Sequence, residues 1–427
     1  MKIFFHTLGC KVNQYESEYI KGIFVSSGYI EASDPKAADI IIVNSCTVTA
    51  ESDRKTRQLV RRYRRLKPEA VIVLTGCMPQ AFPTQAEALP ADIILGNESS
   101  RNVLKATERF LSDRQRIINI PPHLKGERFE SCRLESFSER TRAYIKIEDG
   151  CDRGCTYCII PKARGRVRSR SLEDIKAEAL SLAKKGFKEL VLVGINLSSY
   201  GKENGLSLAD AVEVVSKIEG ISRVRLGSLE PDLTTPDLLD RLQKIPQFCP
   251  QFHLSLQSGC DATLKRMNRL YSTNEYKTLV DEIRKRWENP GVTTDIMVGF
   301  IGESEEEFNA SLSFTEEIGF LKAHIFPYSV REGTAAALMK GRIDEQIKHI
   351  RAAKMAKACD LSSKRIMEKM VGTNCKVLFE TMEKGYLMGY SESYAPVYVK
   401  GDKALLHTEK EVTLTDLIND GLLGIIE

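Results

Sequence analysis

Along the first hundred residues, short apolar runs rich in β-branched residues alternate with amphipathic stretches of helical period. The runs are Ile3 to Cys10, Ala38 to Cys46, Ala70 to Cys77 and Asp92 to Gly96, and the first three end in cysteine. Apolar runs of this length, separated by helical segments, predict parallel strands. From about Arg101 to Glu139 a helical stretch gives way to Pro121-Pro122 and a polar region that reads as a linker. A second series of runs follows at Ala143–Ile147, Glu189–Gly194, Arg223–Gly227, Phe252–Leu256, Thr294–Val298 and Ala323–Pro327. Helix-like segments such as Ser171–Lys185 and Thr273–Trp287 lie between them, so strand and helix alternate as in a (β/α)6 barrel or partial barrel. After a helix-compatible stretch from Asp344 to Met370, runs at Val377–Glu380, Gly385–Tyr390 and Ala395–Lys400 are separated by turn residues. They predict a small antiparallel barrel. The expected fold is α/β in three parts: an open parallel-sheet domain over 1–125, a partial barrel over 137–370 and a small β-barrel over 371–427.

Composition agrees with a folded protein. Of 427 residues, 42% are hydrophobic and 28% charged, which excludes a disordered chain. No apolar run approaches the roughly 20 residues of a membrane span, and the first residues lack a signal-peptide core, so a cytoplasmic protein is expected. In that reducing compartment 11 cysteines read as metal ligands or buried small hydrophobes rather than a disulfide framework. A net charge of +4 says little by itself, but the cations cluster. Arg54, Lys55, Arg57, Arg61, Arg62, Arg64, Arg65 and Lys67 fall on one helical segment, with Leu59, Tyr63 and Leu66 as its expected buried stripe. Arg164, Arg166, Arg168 and Arg170 alternate with other residues, and in an extended segment would share one face. Each cluster follows a candidate ligand cysteine, which favours a polyanionic substrate; solvated surface is the alternative.

The strongest chemical signal is Cys151, Cys155 and Cys158 in the spacing C-x3-C-x2-C. Three thiolates leave one iron of a cubane cluster open, as a reactive centre requires and an electron carrier does not. Zinc also takes thiolates, but the paired C-x2-C knuckles and distant histidines of structural zinc are missing, with six histidines in the whole chain. Cys10, Cys46 and Cys77 stand at the ends of three predicted parallel strands, where the ligand crevice of an open α/β sheet lies, so they are expected to converge. Three separately buried core cysteines would give the same pattern. Asn196, Ser228, Glu230 and Gln257 fall just beyond barrel-strand ends, on the same rim as the cysteine loop and its Tyr157. Cys132, Cys249, Cys260, Cys359 and Cys375 have no evident partners and read as non-ligands.

Taken together, the C-x3-C-x2-C loop, Asn196, the run Ser255-Leu256-Gln257-Ser258-Gly259 and Asp295-Ile296-Met297-Val298-Gly299-Phe300 resemble the radical S-adenosylmethionine methylthiotransferases over nearly the whole chain. The resemblance implies an amino-terminal domain with three auxiliary-cluster cysteines, a central radical-SAM barrel and a carboxyl-terminal TRAM domain. Within the family, Asn44-Ser45-Cys46-Thr47-Val48-Thr49, the run Arg164 to Arg170, Leu226-Gly227-Ser228-Leu229-Glu230-Pro231 and Pro327 to Thr334 are similar to the MtaB-type branch. Ser45 stands where that branch usually has threonine. The branch acts on N6-threonylcarbamoyladenosine next to the anticodon in tRNA, whereas the MiaB-type branch takes an isopentenyl-modified adenosine. The implied cofactors are two [4Fe-4S] clusters and S-adenosylmethionine. Cys151, Cys155 and Cys158 would hold the cluster that cleaves S-adenosylmethionine; Cys10, Cys46 and Cys77 would hold the one that delivers methylated sulfur to adenine C2. Tyr157, Asn196, Ser228, Glu230 and Gln257 would bind S-adenosylmethionine, and an electron donor such as flavodoxin or ferredoxin would be required. An RNA-binding protein whose clusters are structural or redox-sensing is the alternative from another class. Anticodon-loop bases can be unstacked and brought to a rim site, with strong salt dependence.

Overall fold

Residues 40–45 and 71–76 are buried along their whole length, as strands covered by helices on both faces must be. In the computed structural model, which describes residues 1–97, 100, 102–134 and 141–426, they form the centre of the first of three units. That unit is a six-stranded sheet of β1 (Lys2–Thr7), β2 (Ile30–Glu31), β3 (Ile40–Ser45), β4 (Val71–Gly76), β5 (Ile93–Leu95) and β6 (Ile117–Asn119). The spatial order is β2-β1-β3-β4-β5-β6, and every pair is parallel. Alternate residues feed two cores: Ile40, Ile42, Val71 and Val73 on one face, Ile41, Val43, Ile72 and Leu74 on the other. The pattern reading missed β2 and β6, which are two and three residues long and half-exposed or exposed.

The second unit is a six-step parallel array. It is built from β7 (Arg142–Lys146), β10 (Glu189–Val193), β11 (Arg223–Leu226) with β12 (Ser228–Leu229), β13 (Gln251–Leu254), β14 (Gly291–Val298) and β15 (Lys322–Pro327); β8 (Glu148–Asp149) and β9 (Arg168–Ser169) form a short antiparallel pair beside it. One sheet runs β11-β10-β7 and the other β12-β13-β14-β15. Gly227 separates β11 from β12, so a single passage of chain pairs first with β10 and then with β13. The result is the expected partial (β/α)6 barrel, open between β7 and β15. The two helices named from sequence are Leu172–Lys184 and Thr273–Arg286, capped by Ser171 and Ser272.

The helix Glu345–Met370 leads into the third unit, β16 (Asn374–Glu383), β17 (Tyr386–Tyr390), β18 (Pro396–Lys400), β19 (Glu409–Ile418) and β20 (Gly421–Ile426). They close in the order β16-β17-β18-β20-β19. The barrel is not wholly antiparallel as expected, because β18 and β20 run parallel. This unit docks on the amino-terminal ends of the barrel strands. Arg223 and Arg225 of β11 share the carboxylate of Glu189, at 2.7 and 3.0 Å, and donate to the carbonyls of Ser391 and Glu392 at 2.8 and 2.9 Å.

Within the expected linker, residues 120–131 are exposed or half-buried, and the segment becomes buried at Cys132 and Leu134. Leu134 is 2% exposed, and the carbonyl of Cys132 accepts from Tyr15 Oη at 2.6 Å. The end of that linker, including Glu139, the sequence-based boundary at 137 and Arg101, lies outside the described residues. No helix among the described residues is long and apolar enough to cross a membrane.

Candidate active site

The order of the first sheet reverses between β1 and β3, and an open α/β sheet binds ligands beyond the carboxyl ends of its strands at such a switch point. Cys10 follows β1 as the N-cap of α1 (Lys11–Ser26), Cys46 follows β3, and Cys77 follows β4 as the first residue of α3 (Cys77–Ala81). Two glycines permit these turns. Gly9 at φ +116° would carry a Cβ 2.9 Å from that of Cys46, and Gly76 at φ +97° one 2.5 Å from the Ser45 carbonyl oxygen. Asn13 ties the corner together: its Oδ1 lies 3.3 Å from Cys10 Sγ, while its Nδ2 donates to the Ser45 carbonyl at 3.2 Å. Cys10 is exposed, whereas Cys46 and Cys77 are 5% and 3% exposed. Burial pushes the Cys77 thiol up to about 12, against the neighbouring Arg164 guanidinium, which favours the thiolate and donates from Nε to Cys77 Sγ at 3.2 Å.

Arg164 comes from the other cysteine loop. Its guanidinium is 1% exposed and forks onto Glu16 of α1, with 2.9 Å between Nη2 and Oε2. Lys146, at the end of β7, pairs with the same Glu16 at 2.7 Å and with Asp149 at 2.6 Å. One buried ion network therefore joins the two cysteine-bearing units. It also corrects the reading of the arginine run as one RNA-facing surface. Arg164 and Arg170 are buried, Arg170 pairing with Asp174 at 2.6 Å and with Glu178; Arg168 pairs with Glu127 at 3.2 Å; only Arg166 is exposed. The segment bends at the end of helix Ile160–Arg164, so the four side chains do not share a face.

Cys151, Cys155 and Cys158 lie on the loop after β8. Its backbone is pinned by a segment that the sequence reading passed over, Arg266 to Arg269. Thr156 N and Oγ1 donate to the carbonyls of Met267 and Arg266 at 3.0 and 2.9 Å, and Asn268 Nδ2 donates to the Gly154 carbonyl at 2.8 Å. Arg269 Nη1 donates to Cys155 Sγ at 3.3 Å, and its Nη2 is held by Glu230. Glu230 thus sits on the rim as expected but acts on the loop through Arg269. Burial pushes the Cys151 and Cys158 thiols up to about 12, and a bound cation such as iron would favour their thiolates.

The other expected contacts occupy one rim. Asn196 Nδ2 donates to Ser199 Oγ at 2.8 Å while its Oδ1 has no partner among the described residues. Gln257 is held at φ +63° with Oε1 unpartnered, and Glu148 accepts the Asn196 N–H at 2.7 Å with one carboxylate oxygen while the other is unpartnered. Burial, then the nearby Asp149 charge, lifts Glu148 well above the usual carboxylate range. Three buried polar oxygens without partners among the described residues, on strand ends of the barrel, are the chemistry that the polar groups of S-adenosylmethionine would satisfy. Tyr157 packs edge-on against Phe300, with ring centroids 6.2 Å apart. Ser228 lines a cavity of about 520 Å³ that Cys10 also lines. No three His, Cys, Asp or Glu side chains among the described residues converge on a single-ion site.

The two units also meet at Arg331, in the segment after β15. Its Nη2 lies 2.7 Å from Thr47 Oγ1, in the turn that follows Cys46, and 2.7 Å from Asp53 in the helix beyond that turn. That turn leads into α2 (Ala50–Leu66), the predicted basic helix. Its buried face is Asp53, Thr56, Val60 and Tyr63, rather than Leu59, Tyr63 and Leu66; Leu59 and Leu66 pack at the edge of the core. Lys55, Arg61, Arg62 and Arg65 line an open cavity of about 590 Å³ with His6 and Leu8 of the strand leading to Cys10.

Comparison with known proteins agrees with this architecture. The uncharacterized protein family UPF0004 matches residues 2–96 and the Radical SAM superfamily residues 145–315. The threonylcarbamoyladenosine tRNA methylthiotransferase MtaB of Thermotoga maritima is 40% identical over 91% of this chain and 89% of its own length. The tRNA-2-methylthio-N(6)-dimethylallyladenosine synthase of Pelotomaculum thermopropionicum is 35% identical over 98% and 96%. Among solved structures, the radical S-adenosylmethionine methyltransferase TsrM from Kitasatospora setae, with cobalamin and a [4Fe-4S] cluster bound, shares the fold at a TM-score of 0.58, covering 91% of this chain and 80% of that one at 13% identity. By its cysteine sites, its two matched domains and these full-length relatives, the chain belongs to the radical S-adenosylmethionine methylthiotransferase family.

Proposed function

We propose that this protein attaches a methylthio group to C2 of N6-threonylcarbamoyladenosine next to the anticodon of tRNA. The observation that carries the reading is that Cys10, at the switch point of the first sheet, and Ser228, on the barrel rim, line one cavity. A base placed there would stand beside Cys10 and against the barrel rim that carries Ser228. Cys151, Cys155 and Cys158 would hold one [4Fe-4S] cluster and Cys10, Cys46 and Cys77 the other; with S-adenosylmethionine these groups supply its one-electron cleavage and the sulfur and methyl that replace hydrogen at C2. The chain's own residues bind and orient. Asn196, Gln257 and Glu148 offer acceptors for S-adenosylmethionine, with Ser228 and Tyr157 at the cavity and loop. Arg269 fixes the cysteine loop against Glu230, and Arg164 places a guanidinium on Cys77. Units 1–125, 137–370 and 371–427 divide the work into sulfur delivery, radical generation and RNA binding. The exposed cations of α2 and the terminal barrel form the tRNA surface, in a cytoplasmic enzyme served by a flavodoxin- or ferredoxin-type donor.

Mass spectrometry of tRNA nucleosides from a strain lacking the gene tests the substrate. Loss of the methylthio-threonylcarbamoyl nucleoside, restored by the gene, is expected. If that nucleoside persists and the methylthio-isopentenyl one vanishes, the chain acts on the other substrate.

A further inference from the structure

The inner face of the partial barrel carries polar groups for which sulfur insertion has no evident use. Strand alternation turns His253 of β13, Thr293 and Asp295 of β14, and Lys322 and His324 of β15 into the cavity that Cys10 lines. The strands' register sets Thr293 beside both His253 and Lys322, and Asp295 beside His324. Lys11, the residue after Cys10, enters the same cavity from the first unit.

These charges do not cancel. Asp295 is taken by His253, whose Nε2 lies 3.2 Å from Oδ2, and the other ring nitrogen lies 3.0 Å from Thr293 Oγ1. Among the described residues no carboxylate lies within ion-pair distance of Lys11 or Lys322, although both line the cavity. Behind them Tyr394 is covered by the Arg142 and Arg225 guanidinium groups, 4.9 and 4.8 Å from its ring, and those two arginines are themselves paired with Glu380 and Glu189. A partly enclosed space lined by two lysines with no carboxylate at ion-pair distance among the described residues favours an anionic occupant.

The chemistry of the base says which anion. Adenine C2 and C6 flank N1, so a base that presents C2 to this cavity turns its N6 substituent toward the same side, into the space that Lys11 and Lys322 line. A threonylcarbamoyl group ends in a carboxylate and a hydroxyl. A dimethylallyl group is wholly apolar, and would strip water from the lysines and histidines without replacing its hydrogen bonds. Building on the function proposed above, we infer that this lumen is the specificity pocket for the N6 substituent, with Lys11 and Lys322 holding the threonylcarbamoyl carboxylate.

The test uses reconstituted holoenzyme and three tRNAs: one carrying threonylcarbamoyladenosine, one carrying its methyl ester and one carrying dimethylallyladenosine. The wild type is expected to prefer the acid over the ester. Lys322→Met is expected to raise KM for the acid by about 10–100-fold, as loss of a charged hydrogen bond does, and to abolish that preference. Lys322→Arg should restore it in part. Iron content and the thermal midpoint show whether a variant has folded; should Lys322→Met fail there, His324→Leu takes its place, with a smaller expected rise in KM. Equal KM for acid and ester in the wild type, or a folded Lys322→Met enzyme that still prefers the acid, overturns the pocket. A wild type that modifies only the dimethylallyl tRNA overturns the proposed function itself, and does so without any variant.

Discussion

Cys151, Cys155 and Cys158 share one loop, whereas Cys10, Cys46 and Cys77 come from the ends of three different strands. A buried arginine stands beside one sulfur of each site, at 3.3 Å for Arg269 and Cys155 and 3.2 Å for Arg164 and Cys77. The anchors differ. Arg269 is held by Glu230 of its own barrel, while Arg164 leaves the barrel and is held by Glu16 of the first unit. The contiguous site is therefore supported from within one unit, and the dispersed site depends on how two units pack. Damage to that packing should reach the dispersed site first.

The largest expected effect separates the sites outright. Cys151→Ala should abolish reductive cleavage of S-adenosylmethionine, measured as deoxyadenosine, and Cys46→Ala should leave cleavage intact while methylthio product disappears. Product from the Cys46→Ala enzyme would refute the division of labour. Next comes a buried arginine group that touches neither site. Glu189 lies between Arg223 and Arg225, and burial alone would raise its pKa, yet those guanidinium groups with Arg142 hold it well below the usual carboxylate range. Glu189→Gln leaves buried cations unpaired and should cost about 3–5 kcal/mol in denaturant unfolding. A loss of stability near zero would mean that the terminal barrel does not rely on this contact.

Arginine replacement sharpens the comparison further. Arg269→Met should lower cleavage of S-adenosylmethionine about 10–100-fold, the usual cost of losing a partner of a metal ligand, and Arg164→Met should lower product formation by a similar factor with cleavage little changed. Equal effects of both variants on cleavage would erase the distinction. Acid gives the smallest effect. Burial pushes Glu16 up, but Arg164 and Lys146 outweigh it and leave its folded pKa below the ordinary 4.5. The stability it contributes is complete above that value and is lost as pH falls through the folded pKa. Product formation should thus fail before cleavage on acidification below about pH 4.5, with partial recovery on return to neutrality. Simultaneous loss of both activities would argue against a weaker interdomain joint.

Much of this was readable because it depends on local pattern. Apolar runs ending in cysteine located β1, β3 and β4, and the C-x3-C-x2-C loop announced itself by spacing. The arginine run misled, since an arginine on a wet surface and one clamped by a buried glutamate look alike along the chain. Glu16 and Arg164 are 148 residues apart, and nothing local links them. Arg269 was missed for the same reason, its sulfur partner being 114 residues away. The polar lumen did leave a trace. His253, Asp295 and His324 interrupt predicted barrel strands, and Thr293 and Lys322, just outside the predicted runs, stand two residues before Asp295 and His324, the spacing of a shared inner face.

The sequence by itself determined the three-part α/β plan, the C-x3-C-x2-C loop and the family resemblance, because strand and helix periodicity and ligand spacing are properties of neighbours along the chain. Only the tertiary structure decided that Cys10 and Ser228 open on one cavity, that Arg164 and Arg170 are buried, and that Lys11 and Lys322 line one lumen. Those are relations between side chains far apart in sequence, set by which strand lies beside which and by which buried charge finds a partner.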